Sequence, residues 1–413
     1  MLANELLLID GKLVPAASGA VFETVNPATE QVLGTVADAG ADDLDAAIGA
    51  ARRAFDTGSW ATDPAFRARC IRQLRDALQE VAEELRATTV AEVGAPVMLT
   101  YGAHQDGPIA DLGWAAELAE SYDWVTDLGE SDVMGIKSRR YVRRQAAGVV
   151  GAITPWNFPH QINLAKLGPA LAAGCTVVLK AAPDTPYCAT ALGQLIAEKT
   201  EIPAGVVNIV TSSDHQVGAL LSTDPRVDLV SFTGSTATGK TVMRSAADTL
   251  KKVFLELGGK SAFIALDDDK LGEAMGFAGF SSIIHAGQGC ALTTRVLLPR
   301  SRFEEGVEVL AGTVTALGCG DPADSGTVCG PVISARQRDR IEGFLTRARD
   351  AGATFAAGGG RADRDKGFFI APTVVVGLDN SAEIARQEVF GPVLTAIPYD
   401  DEDHAVAMAN DSE

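Results

Sequence analysis

The sequence has little of what metal centres, disulfide frameworks and membrane spans are built from. Its six cysteines, Cys70, Cys175, Cys188, Cys290, Cys319 and Cys329, are scattered without a CxxC pair. A secreted disulfide scaffold and a structural zinc site are therefore not expected, and reduced thiols in the cytoplasm are the simplest reading. Five histidines, His104, His160, His215, His285 and His404, are equally dispersed with no HxxxH, so no metal is expected. No apolar run approaches the length of a membrane span, and the opening MLANELLLIDGKLVP fits neither a secretory signal nor a transit peptide. Basic residues are outnumbered, 35 against 54 acidic, for a formal net charge of -19. Long-range attraction to nucleic acid or an anionic membrane is excluded as a working expectation.

What is present is a chain of 413 residues, 46% hydrophobic, long enough for two domains. In the first third apolar residues recur at helical spacing, as in Leu44, Ala47, Ile48, Ala51 and Phe55, with Asp42 and Asp43 placed for the first turn. Asp63–Pro64 is a second helix start, followed by the stripe Cys70, Ile71, Leu74, Leu78, Val81 and Leu85. The stretch 131–146 carries Lys137, Arg139, Arg140, Arg143 and Arg144 interleaved with Tyr141 and Val142. Charge-protected edge strands explain it better than a nucleic-acid patch in so acidic a chain.

The rhythm then changes. AGVVGAI, CTVVLK, AGVVNIV, VDLVSFT and KVFLEL are short, apolar and separated by helix-length segments, the pattern of a parallel sheet covered on both faces. A second α/β series contains SAFIAL, TRVLLP, PTVVVG and VLTAIPY.

SFTGSTATGKT (231–241) places Gly234, Gly239, Lys240 and Thr241 in the letter pattern of a triphosphate loop, between a strand and a helix beginning near Thr236. Free backbone N–H groups at a helix start hold either a triphosphate or the pyrophosphate of a dinucleotide. A hydrolase would draw its magnesium-binding acid from AFIALDDD, but this loop follows the fourth strand of its series rather than the first. A dinucleotide is the favoured guest, with a P-loop hydrolase kept as an alternative.

Cys290 lies in a Gly-rich turn, GQGC, between a helix ending near His285 and a strand beginning near Thr294, which presents its sulfur rather than packing it. A thiolate so presented is a strong nucleophile toward a carbonyl. Asn157, between Pro155 and Pro159, sits on a stiffened loop.

Together, ITPWNFP (153–159), FTGST, LELGGK (255–260), GQGC (287–290) and EVFGP (388–392) resemble the aldehyde dehydrogenase superfamily in order and spacing, from about residue 7 onward. The resemblance implies an α/β fold. Its parts would be a Rossmann-type NAD(P)-binding domain (1–130 and 147–257), an oligomerisation β-hairpin (131–146) and an α/β catalytic domain (258–413). It implies NAD(P)-dependent oxidation of an aldehyde to a carboxylic acid. Cys290 would be the nucleophile, Asn157 an oxyanion donor with the Cys290 N–H, Glu256 the base for thioester hydrolysis, and Lys166 a structural or proton-relay residue. The cofactor would be held by Ile153, Trp156, Lys180, Pro183, Gly234, Ser235, Gly239, Leu257, Glu388 and Phe390. Phe158, Ala165, Gly289 and Ala291 would face the aldehyde, with small residues beside Cys290 leaving room for a bulky one. His285 is read as structural.

Two features depart from the family pattern. Pro183 stands where many NAD-specific members carry a glutamate, so NAD is preferred over NADP without an evident charge barrier. Members also continue several tens of residues past AMANDSE, through a strand that pairs across subunits. A homodimer or homotetramer is expected if that strand is present. A weakly active or inactive cofactor-binding homologue is the alternative expectation if it is not.

Overall fold

The computed structural model describes residues 1–412, and the chain divides into two compact units. The first comprises Met1–Phe22, Thr35–Leu85 and Gln105–Glu256. Its seven-stranded sheet runs in the order Lys252–Leu257, Leu229–Gly234, Val149–Ile153, Thr176–Ala181, Val207–Thr211, Leu7–Ile9, Lys12–Val14. Leu229–Gly234, Val149–Ile153, Thr176–Ala181 and Val207–Thr211 are mutually parallel, and Leu7–Ile9 joins them antiparallel. These strands are the apolar runs of the sequence, and Thr176–Ala181 and Val207–Thr211 are buried along their whole length, as a sheet covered on both faces requires.

The chain leaves Val149–Ile153 in one direction, builds Thr176–Ala181 and Val207–Thr211, and then crosses back to place Leu229–Gly234 on the opposite side. This reversal makes a topological switch point at the carboxyl ends of Val149–Ile153 and Leu229–Gly234, where open α/β sheets bind ligands. Ala41–Thr57 packs on the sheet and Pro64–Glu80 on neighbouring helices, both through stripes legible in sequence. Leu44, Ala47, Ile48 and Ala51 are buried on Ala41–Thr57, and Cys70, Ile71, Leu74 and Leu78 on Pro64–Glu80. Each fully buried leucine or isoleucine contributes about 1.5–3 kcal/mol of transfer free energy. Asp63 caps the second helix by accepting from the Phe66 N–H at 2.9 Å.

The second unit comprises Glu23–Gly34, Arg86–His104 and Leu257–Glu413. Its sheet has the order Ser261–Ile264, Thr293–Pro299, Val393–Tyr399, Thr373–Val376, Thr354–Ala357, with only the last strand antiparallel to its neighbour.

The last division between the units falls at 256/257, and 23–34 and 86–104 group with the second unit. The cause is tertiary contact between segments far apart in sequence. Thr24 Oγ1 donates to Glu92 at 3.3 Å, the Phe368 N–H donates to the Pro27 carbonyl at 2.9 Å, and Gly94 leaves no room for a Cβ between Pro27 and Pro331. The two-stranded hairpin is longer than the 131–146 stretch, running Val125–Val133 and Ile136–Arg143, antiparallel. All eight residues of its second strand are exposed, and Arg139 pairs with Asp127. The basic residues thus sit on a solvated ribbon.

Candidate active site

In the first unit, Val149–Ile153 gives way to the loop carrying half-buried Trp156 and buried Asn157. Pro159 then starts the helix Pro159–Ala172, where its missing N–H costs nothing. Ile153 closes the strand and is half-buried, and Phe158 takes the N-cap position of the helix. On the inner face of this helix, Lys166 Nζ donates to Ser231 Oγ at 2.9 Å and lies 6.0 Å from the Phe254 ring centroid. Burial pushes its ammonium down to about 8, opposed by the negative charge of Glu256. Glu256 itself is exposed at the end of Lys252–Leu257. The structure therefore brings Lys166 and Glu256 into one electrostatic neighbourhood.

At the switch point, Gly234 ends its strand with no room for a side chain, since a Cβ would lie 2.6 Å from the Phe232 ring. Ser235 caps the helix Thr236–Ala247, its Oγ accepting from the Thr238 N–H at 3.3 Å. Gly239 is buried on that helix, whereas Lys240, the telling letter of the triphosphate pattern, is exposed.

Lys180 is buried on Thr176–Ala181, and burial pushes it down to about 8 against the pull of Asp184, Asp214 and Asp38. Pro183 is half-buried in the turn that follows. The three carboxylates near Lys180 were not read from sequence. Asp38 is fixed by accepting from Ser213 N–H and Oγ at 2.8 and 2.7 Å, and Asp214 caps the helix His215–Thr223. Only Asp184, adjacent to Pro183, offered a sequence signal.

Ala165 lines a cavity of about 280 Å³ together with Gln161, Leu164, Pro108, Asp111 and Trp114. Its walls are mostly apolar carbon.

In the second unit, the helix Leu271–Ile283 runs into the turn Ile284–Gly287, in which His285, Ala286 and Gly287 all have positive φ (51°, 52° and 68°). For His285 and Ala286 this left-handed conformation costs free energy, so the surroundings must hold it. Gln288 does part of that: its Nε2 donates to the His285 and Pro331 carbonyls at 3.1 and 3.3 Å, and its Oε1 accepts from the Ile333 N–H at 2.9 Å. Gly287 permits a close backbone approach, since a Cβ there would fall 2.0 Å from the Gly391 carbonyl oxygen. The buried His285 ring stands edge-on to His104 with centroids 4.5 Å apart, a packing contact. Beyond this turn Gly289 and Cys290 are half-buried and Ala291 is exposed, before the strand Thr293–Pro299 begins. Cys290 thus follows closely on a tightly held turn.

Facing segments complete this half. The carboxylate of Glu388 accepts from the Gly259 N–H, and burial raises its pKa against the charges of Arg340 and Lys260. The EVFGP backbone is held by the helix Ala335–Asp350, with Arg340 donating to the Glu388 and Val389 carbonyls and Gln337 to that of Phe390 at 2.7 Å. Phe390 is kept at φ 57°. Leu257 is half-buried at the entry to the unit. Lys260 is fully buried, and burial, with repulsion from Arg295, pushes it down to about 7. Lys260 closes the LELGGK motif, its only local signal. Arg295, Gln337 and Arg340 carried no signal.

The family model for the aldehyde dehydrogenase family matches residues 13–413. The chain belongs to the aldehyde dehydrogenase family. A Mycobacterium tuberculosis aldehyde dehydrogenase solved in complex with NAD+ is 42% identical at a TM-score of 0.94, covering 99% of this chain and 83% of that one. The geranial dehydrogenase of Castellaniella defragrans is 38% identical over 99% of this chain and 84% of its own length. A Pseudomonas syringae aldehyde dehydrogenase variant in complex with NAD+ and octanal is 35% identical at a TM-score of 0.90, covering 99% of this chain and 82% of that one. This aldehyde dehydrogenase is an oxidoreductase of the α/β class, and the triphosphate-hydrolase alternative falls with the family match. Among the described residues no group of side chains could hold a metal, and no helix is long and apolar enough to cross a membrane.

Proposed function

We propose that this aldehyde dehydrogenase oxidises an apolar aldehyde to the carboxylic acid with NAD, using Cys290 as nucleophile. The observation that carries the reading is the switch point, which sets the Asn157 loop and the Gly234–Ser235 helix start on adjacent parallel strands.

The residues present fit a dinucleotide. The Gly234–Ser235 turn with the N–H groups at the start of Thr236–Ala247 would receive the pyrophosphate, and the buried Lys180 the ribose. Ile153, Trp156, Pro183, Gly239, Leu257, Glu388 and Phe390 are assigned to the same cofactor by family position. The carboxylates of Asp38, Asp184 and Asp214 disfavour an added 2'-phosphate, which supports NAD over NADP.

Cys290 Sγ attacks the carbonyl carbon, and the Asn157 amide and Cys290 N–H hold the resulting oxyanion. The cofactor, when bound, supplies a hydride acceptor. The acyl group then remains on Cys290 as a thioester. Glu256 takes a proton from the attacking water, and Lys166 lies within its electrostatic reach to pass that proton on. The cavity beside Ala165 and Leu164 would take the apolar tail of the aldehyde, with Phe158, Gly289 and Ala291 assigned to the reacting end. That relatives act on geranial or bind octanal agrees with such a tail.

Reduced-nicotinamide absorbance with octanal and with glyoxylate, each with NAD and NADP, tests the reading. Octanal with NAD should give the highest kcat/KM. No absorbance change with any aldehyde and either cofactor would contradict it, and loss of all turnover in Cys290→Ala is expected.

A further inference from the structure

Cys319 and Cys329 take no part in the chemistry above, yet their sulfurs lie 3.6 Å apart. Cys319 follows Gly318 at the end of the helix Phe303–Leu317, and the Gly320 N–H donates to the Cys329 carbonyl at 2.9 Å, bonding the two backbones beside the thiols. Cys329 is fully buried and Cys319 half-buried. Either thiol can donate in the hydrogen bond between them, and with Cys329 as donor the thiolate is favoured at Cys319. Arg364, donating to the Cys319 carbonyl at 2.6 Å, adds positive charge while burial opposes it. The same bond, and then burial, hold the proton on Cys329. When protonated, Cys319 donates to the Ile370 carbonyl at 3.0 Å.

The pair is also attached to the nucleophile turn. Cys329 Sγ accepts from the Ala286 N–H, and the His285 N–H donates to the Val328 carbonyl at 3.1 Å. His285 and Ala286 are the two residues held at positive φ before Cys290.

We propose that Cys319 and Cys329 form a peroxide-oxidisable dithiol, and that closing it to a disulfide loosens the turn that presents Cys290. The Cys319 thiolate attacks the O–O bond of a hydroperoxide; an S–O bond forms, the O–O bond breaks, and the departing oxygen leaves protonated. Cys329 Sγ then attacks the sulfenic sulfur; the S–S bond forms, the S–O bond breaks, and the second oxygen leaves as water with the Cys329 proton. Two thiols give up two electrons, and the peroxide accepts them. An S–S bond of about 2.0 Å requires the sulfurs to close by roughly 1.5 Å. That motion removes Cys329 Sγ as acceptor for the Ala286 N–H, one of the anchors of a strained turn.

The role of Cys290 in this inference rests on the reading under Proposed function, whereas oxidation of the pair does not. The experiment therefore uses the full chain carrying Cys290→Ser, which removes the competing thiol. It is treated with hydrogen peroxide, alkylated and mapped by mass spectrometry. A cross-link between the Cys319 and Cys329 peptides, with loss of two hydrogens and reversal by dithiothreitol, is expected. It should be absent when Cys319→Ser or Cys329→Ala is added. Hydrogen exchange of the 284–291 segment should speed up on oxidation and stay unchanged in the Cys319→Ser protein. Both thiols remaining fully alkylatable after peroxide would overturn the dithiol. A disulfide that leaves exchange of 284–291 unaltered would overturn its link to the turn. Neither readout depends on aldehyde turnover, so a failed nucleophile assignment is recognised separately.

Discussion

The carboxylate of Glu388 fills the space over Gly258 so closely that a Cβ on that glycine would lie 2.1 Å from Oε2. The neighbouring Gly259 N–H donates to the same carboxylate. The first glycine of the LELGGK pair thus matches the seating of an acid more than a hundred residues away in sequence. Gly258→Ala should displace Glu388 and raise the KM for NAD on the order of tenfold, while thermal unfolding moves little. An unchanged KM would show that Glu388 is seated by other contacts.

Asp38, Asp184 and Asp214 give Lys180 an acidic setting that Pro183 does not disclose. Asp214→Ser keeps a capping oxygen for the helix His215–Thr223 while removing a charge. The ratio of kcat/KM for NADP over NAD should rise roughly three- to tenfold. The rise should shrink at high salt, because such long-range repulsion is screened.

Lys166 has a pH signature. Its folded-state pKa, about 8, lies below the ordinary 10.5. Below pH 8 both states hold the proton and the folded state bears the full cost of a buried charge. Between pH 8 and 10.5 the unfolded state binds more protons, so stability rises with pH. Measured as wild type minus Lys166→Met by denaturant unfolding, the difference should move in favour of the wild type by at most about 3 kcal/mol across that window. A flat difference would mean that Lys166 is not desolvated.

Arg295 is a buried cross-brace. Its Nε donates to the Lys260 carbonyl at 3.0 Å, Nη1 to Asn380 at 2.7 Å and the Met408 carbonyl at 3.0 Å, and Nη2 to the Ala409 carbonyl at 3.0 Å. An ammonium cannot reproduce that fork, so Arg295→Lys should destabilise the protein by about 2–4 kcal/mol in denaturant titration.

These residues mark where sequence reading stops. Strands such as CTVVLK and helices such as Pro64–Glu80 were legible because periodicity and capping are local. The loops that carry Cys290 and Asn157 stand out in the sequence because Gly- and Pro-rich segments carry a local signature. Arg295 meets its partners at positions 260, 380, 408 and 409, and Asp38 joins Lys180 only through the fold. The assignment of 23–34 and 86–104 to the second unit has the same origin, since Thr24–Glu92 and Pro27–Phe368 are contacts made across distant sequence. Tertiary polar contacts leave no periodic trace.

The central claim, an acyl group carried on Cys290 and released by Glu256, is tested most directly with Glu256→Gln. The variant, given octanal and NAD, should release one equivalent of reduced nicotinamide and then stall. Intact-mass analysis should find the protein heavier by the acyl group, and peptide mapping should place it on Cys290. A variant that shows no burst and no adduct, or that turns over at the wild-type rate, would contradict the account.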